Sequence, residues 1–135
     1  MEKDNIKVHS QKAHDGLLRA EDKSLSLYGF IDTLGQTVIP FKYKYVFDFS
    51  ESLAMVVTVD DKNIYLNTDG TQFNKREYED ISHFINGYAF VKEELYGVID
   101  KNEEYIIKPQ YDNINSKNNF YFKDCIKWLA NIFKA

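Results

Sequence analysis

The chain has 135 residues, of which 44% are hydrophobic and 28% charged, with a net charge of −4 at neutral pH. A domain of this length buries roughly two-thirds of the surface that its unfolded chain exposes, so a core forms without disulfide staples and the body is not expected to be disordered. The acidic balance argues against nucleic acid, which needs clustered Lys and Arg to release counterions, and favours a basic partner.

Ten Tyr and ten Phe supply most of the 16% aromatic fraction. Such side chains fit a pleated, half-buried surface better than a helix interior, so the composition leans toward β-structure. Cys125 is the single cysteine, which excludes an intramolecular disulfide and a multi-cysteine metal site. The N-terminal residues lack the continuous apolar segment of a secretory signal, and the longest apolar run is Leu53 to Val57. A cytoplasmic chain without membrane attachment is the expectation.

In chain order, residues 1–14 are polar and unpatterned and are expected to be mobile, except that Ile6 and Val8 can form a short edge strand. From Asp15 the chain repeats itself. Leu27 to Gly35 aligns with Lys62 to Gly70 and with Leu95 to Glu103, placing Asp32, Asn67 and Asp100 in register at offsets of 35 and 33 residues. The same offsets superpose Tyr43, Tyr78 and Tyr111, then Val46, Ile81 and Ile114. A fixed period of this size signals a repeat architecture. A repeat domain over 15–122 follows, with a partial unit near 15–26 and further units near 27–61, 62–94 and 95–122.

Within a unit, Tyr28 and Phe30 alternate with Gly29 and Ile31, as Tyr96 and Val98 alternate with Gly97 and Ile99, and a period of two places them on opposite faces of a strand. Asp32, Asn67 and Asp100 then begin turns, because a short Asx side chain accepts a hydrogen bond from a backbone N–H two residues on. Gly35, Gly70 or Asn102 is expected to supply the positive φ of those turns. Val38-Ile39 and Ile106-Ile107 return the hairpins, and Pro40 and Pro109 are expected to stop them. About four short strands per unit result.

These residues resemble the WG-repeat proteins, whose unit reads roughly Trp-Gly-x-Ile-Asp, then Val-Ile-x-Pro-x-Tyr, then Phe-Ser-Glu-Gly-Leu-Ala. Tyr28 to Asp32, Val38 to Pro40, Tyr43 and Phe49 to Ala54 follow the pattern, as do Tyr96 to Asp100 and Pro109 to Asp112. Tyr replaces Trp twice, and Asn63-Ile64 stands where Trp-Gly would be. The resemblance implies bacterial proteins of varied role and points to no particular activity. The expected fold is all-β with a C-terminal helix: short antiparallel hairpins stacked as a meander, solenoid-like or like a partial propeller.

The helix is expected over 123–135. Phe122, Cys125, Ile126, Leu129, Ile132 and Phe133 recur at helical spacing, with Lys123, Lys127, Asn131 and Lys134 opposite. Such a helix caps an open sheet or binds a membrane or partner through Trp128; its weak basic charge favours the cap. Residues 116–135 hold four Lys and one Asp, a net of +3, which leaves −7 for the rest.

No residue set that carries catalysis is visible. His9, His14 and His83 sit in no metal-binding spacing, and the chain has neither a Gly-rich phosphate loop nor a nucleophile elbow. A non-enzyme without metal or cofactor is the expectation. Carboxylates pair at Asp60-Asp61, Glu79-Asp80, Glu93-Glu94 and Glu103-Glu104. In turns such pairs are solvated loop charges, or, repeated along one edge, an acidic rim that steers a basic partner. The repeat-position Tyr residues suit packing, whereas Tyr45 and Tyr65 are additional. Candidate partner-binding residues are therefore Asp60, Asp61, Glu79, Asp80, Glu93, Glu94, Tyr45 and Tyr65. The expected role is a protein-binding module, most concretely an immunity-type inhibitor that occludes a basic toxin or nuclease domain; a structural cap of a larger assembly and a glycan-binding domain are the alternatives.

Overall fold

A computed structural model describes residues 5–111, which form eleven antiparallel strands and no α-helix. The predicted C-terminal helix and the end of the last repeat lie outside the described residues. The chain divides into two compact units between Lys75 and Arg76.

The first unit holds two sheets. Strands β1 (Ile6–Val8), β2 (Leu17–Asp22), β3 (Leu27–Asp32) and β4 (Thr37–Tyr43) pair in chain order, as do β5 (Tyr45–Val46), β6 (Leu53–Val57) and β7 (Asn63–Asn67). The sheets share one core, in which Leu17, Phe30, Ile39 and Tyr43 meet Val46, Phe49, Ala54, Val56 and Leu66. Phe30 and Phe49 meet edge to face, 4.8 Å between centroids. Each fully buried large apolar side chain of this kind stabilises by about 1.5–3 kcal/mol. Among its described residues the second unit holds one sheet, of β8 (Asp80–Ile81), β9 (Ala89–Lys92), β10 (Tyr96–Ile99) and β11 (Tyr105–Tyr111). Every sheet is a meander of chain-adjacent strands, as the short turns require.

Two turns recur. At Asp32, Asn67 and Asp100 the backbone N–H donates to the carbonyl four residues on, and the Asx carbonyl accepts from Gly35, Gly70 and Glu103. Asp32 Oδ1 accepts from the N–H groups of Leu34 and Gln36, and Asp100 Oδ1 from those of Asn102 and Glu104. Positive φ falls on Gly35, Gly70 and Glu103, so in the last unit Glu103, not Asn102, takes the left-handed position. The second turn is a two-residue hairpin with both φ angles positive, at Asp15-Gly16, Glu51-Ser52 and Asn86-Gly87. That geometry matches the right-handed twist of the flanking strands.

Glycine decides where the return strand forms. A Cβ on Gly29 would lie 2.4 Å from the Ile39 carbonyl oxygen, and one on Gly97 would lie 2.7 Å from that of Ile107. At both places the pairing shifts, so that Ile39 to Tyr43 opposes Phe30 to Tyr28, and Ile107 to Tyr111 opposes Val98 to Tyr96. Pro40 and Pro109 lie inside these bulged stretches and do not stop the strands, because a bulge spares the N–H that proline lacks. Ile64 occupies the corresponding place in the second repeat, and there the return strand is missing. Only an isolated bridge from Leu66 to Gln72 remains, with the Asn74 side-chain oxygen accepting the Tyr65 N–H at 2.9 Å. The second repeat thus has fewer strands than the four expected.

Candidate functional site

Three of the predicted carboxylates converge in the second unit. Glu79 precedes β8, Glu93 and Glu94 form the β9–β10 turn, and together with Glu77, Leu95 and Pro109 they line a shallow groove of about 520 Å³. Glu79 N donates to the Lys92 carbonyl at 2.7 Å, which ties its backbone to β9. Its side chain is 59% exposed, with Lys92 Nζ 3.9 Å from Oε1. The same ammonium lies 5.5 Å from the centre of the Tyr96 ring. Tyr105 Oη donates to Glu93 Oε2, and burial followed by that bond raises the phenol's pKa. Gathering four carboxylates around one opening creates a negative potential that attracts cations.

Glu77 has no carboxylate beside it in sequence and so belongs to none of the adjacent pairs. Its signal was the alternation Glu77, Tyr78, Glu79: Tyr78 is buried, so its neighbours on a period of two share the opposite, exposed side. Asp80 does not join the groove. Its Oδ2 accepts a 2.6 Å bond from Tyr96 Oη and its Oδ1 accepts the Ile81 N–H, so it anchors β8 to β10.

The remaining candidates belong to the first unit. Asp60 and Asp61 lie exposed in the turn between β6 and β7, where Asp61 pairs with Lys44. Tyr45 is exposed at 36%, its ring meeting that of Tyr28 edge to face with centroids 4.9 Å apart and its oxygen accepting from Arg19 Nη1 at 2.9 Å. Tyr65 is 1% exposed and packs edge-on against Phe73. It is a core residue and presents no surface to a partner; the sequence signal failed because strand register, not residue type, sets its face.

A polar cluster near β1 and β2 was also unforeseen. Ser10 Oγ donates to Asp48 and accepts the Arg19 N–H at 2.8 Å, while Arg19 Nε donates to Asp48 Oδ1 at 3.1 Å. His14 Nε2 is 3.8 Å from the other Asp48 oxygen. Ser10 is engaged as both donor and acceptor, with a carboxylate and no imidazole as its acceptor. This is the bonding of a structural clasp, not of an activated nucleophile.

Comparison with known proteins bears on the repeat. The profile of one family, WG containing repeat, matches residues 28–62, 65–94 and 96–122. No curated protein and no solved structure matches the chain.

Proposed function

The chain belongs to the WG containing repeat family, and we propose that this β-repeat module works by binding a protein, with the groove of Glu77, Glu79, Glu93 and Glu94 as the surface that receives a basic partner. The convergence of these four carboxylates carries the reading. Charged groups around a shallow opening act mainly on encounter rate and partner choice, so the partner is one with Lys or Arg projecting from a convex surface. In its most concrete form the protein is an acidic immunity-type inhibitor that occludes a basic toxin or nuclease domain. A net charge of −4 on a small chain suits that role.

The test is affinity capture at low and high salt with the natural chain and with Glu77→Gln/Glu79→Gln/Glu94→Gln. A basic protein retained at low salt, released at high salt and lost with the triple variant is the expected result. A partner retained equally by both chains, or none at all, overturns the assignment of the groove.

A further inference from the structure

The two units bury their sheets differently. In the first, the face carrying Tyr28, Phe30, Ile39 and Tyr43 is covered by Val46, Phe49, Ala54, Val56 and Leu66 of the following sheet. At the combined repeat offset of 68 residues, the first four positions become Tyr96, Val98, Ile107 and Tyr111. These form the corresponding cluster of the second unit, with Tyr88 and Phe90. Register places them on one face, since Val98 opposes Phe90 and Ile107, and Tyr96 opposes Tyr111.

Val98 is fully buried, and its partners Tyr88, Phe90, Ile107 and Tyr111 are half-buried. A single sheet buries a residue on one face only where a second layer lies over it. The described strands of this unit all belong to the one sheet and cannot supply that layer.

The sequence after Tyr111 no longer carries the apolar pattern of the covering strands. The five covering positions become Ile114, Lys117, Phe122, Asp124 and Lys134, so only two stay apolar. The apolar residues instead change to helical spacing at Phe122, Cys125, Ile126, Leu129, Ile132 and Phe133.

We propose that residues 122–133 dock as a helix across the Tyr96, Val98, Ile107 and Tyr111 face, taking the place that β5–β7 hold over the first sheet. Dimensions agree. Such a helix is about 18 Å long, and a four-stranded sheet is about 14 Å across between its outer strands. Residues 112–121 span up to roughly 33 Å when extended, ample to cross from the end of β11, itself part of the face. The net +3 of residues 116–135 is attracted to the carboxylates along the same sheet.

The test places a nitroxide on the polar side of the segment, at position 127 of the full-length Cys125→Ser/Lys127→Cys chain, and reads amide signals by magnetic resonance. Selective loss of the Phe90, Val98 and Ile107 signals, restored by adding Leu129→Asp while the strand signals persist, is the expected result. Loss of signals elsewhere, no loss, or loss that survives Leu129→Asp overturns the proposal. Loss in an unlabelled copy mixed with the labelled chain also overturns it, by showing that a second copy covers the face.

Discussion

Tyr78 Oη donates a 2.6 Å hydrogen bond to Oε2 of Glu103, and Glu103 itself stands at φ +62 in the turn position that Gly35 and Gly70 fill in the earlier repeats. The same carboxylate accepts the Arg76 N–H at 3.2 Å, and Arg76 Nη1 returns a 2.7 Å bond to the Glu103 carbonyl. Arg76 also lies over the Tyr105 ring, 4.6 Å from its centre. A buried carboxylate thus holds the start of the unit against the β10–β11 hairpin, with a left-handed backbone at Glu103.

Two effects compete at Glu103. Glycine relieves about 1 kcal/mol of backbone strain, but removing a charged acceptor from a buried phenol loses about 1.5–3 kcal/mol. Glu103→Gly is therefore expected to destabilise by about 0.5–2 kcal/mol, and Glu103→Ala by more, since it loses the bonds and keeps the strain. Urea unfolding midpoints decide; a stabilised glycine variant would show that strain outweighs the bonds.

The close approach at Gly29 predicts a large difference between two glycines. Gly29→Ala drives a Cβ into the backbone of β4 and is expected to cost about 3 kcal/mol or more. Gly16→Ala meets nothing within 4 Å and suffers only its φ of +78, about 1–2 kcal/mol. Thermal unfolding of both chains checks the order, and equal losses would remove the steric account of the bulge.

Ser52 occupies the second position of its hairpin at φ +67, where Gly16 and Gly87 stand in the other copies. Its side chain is exposed and its N–H donates to Asp15 Oδ2 at 3.0 Å, a bond that glycine keeps. Ser52→Gly is expected to stabilise by about 0.5–1 kcal/mol, read as a higher melting temperature.

Asn74 replaces a strand. Its oxygen accepts the buried Tyr65 N–H, so Asn74→Ala removes that bond at a cost of about 1–3 kcal/mol. Accelerated amide exchange at Tyr65, ahead of its neighbours in β7, is the specific signature; an unchanged rate would mean that another group satisfies the N–H.

Alkaline pH should loosen the second unit. Burial, then the bond to Asp80, pushes the Tyr96 phenol up to about 12 from an ordinary 10.0. Burial with Glu103 raises Tyr78, and burial with Glu93 raises Tyr105. A raised phenol keeps its proton in the folded chain while the unfolded chain releases it. Stability is therefore full below about pH 10 and is lost as pH rises toward 12, by up to about 1.4 kcal/mol per pH unit for each phenol. Denaturant titrations across that range, beside Tyr96→Phe, test it: the variant should show a shallower decline, and an identical slope would exclude Tyr96 as a contributor.

The repeat period, the turns at Asp32, Asn67 and Asp100, and the strand alternation were legible because each rests on local chemistry: an Asx side chain reaching two residues on, or a side chain pointing up or down. Residues 15–111 needed no partner to reveal them. Family membership followed from the same residues. What only the tertiary structure decided was how the local pieces meet. Ile64 stands where Gly29 and Gly97 admit the backbone of the returning chain, and the second repeat has no return strand there. Tyr65 turned inward and Asp80 was spent on Tyr96, while Glu77 and Glu79 came together with Glu93 and Glu94 from two separate stretches. Burial and convergence depend on cross-strand register, and register here is set by bulges where the two backbones of a hairpin come close.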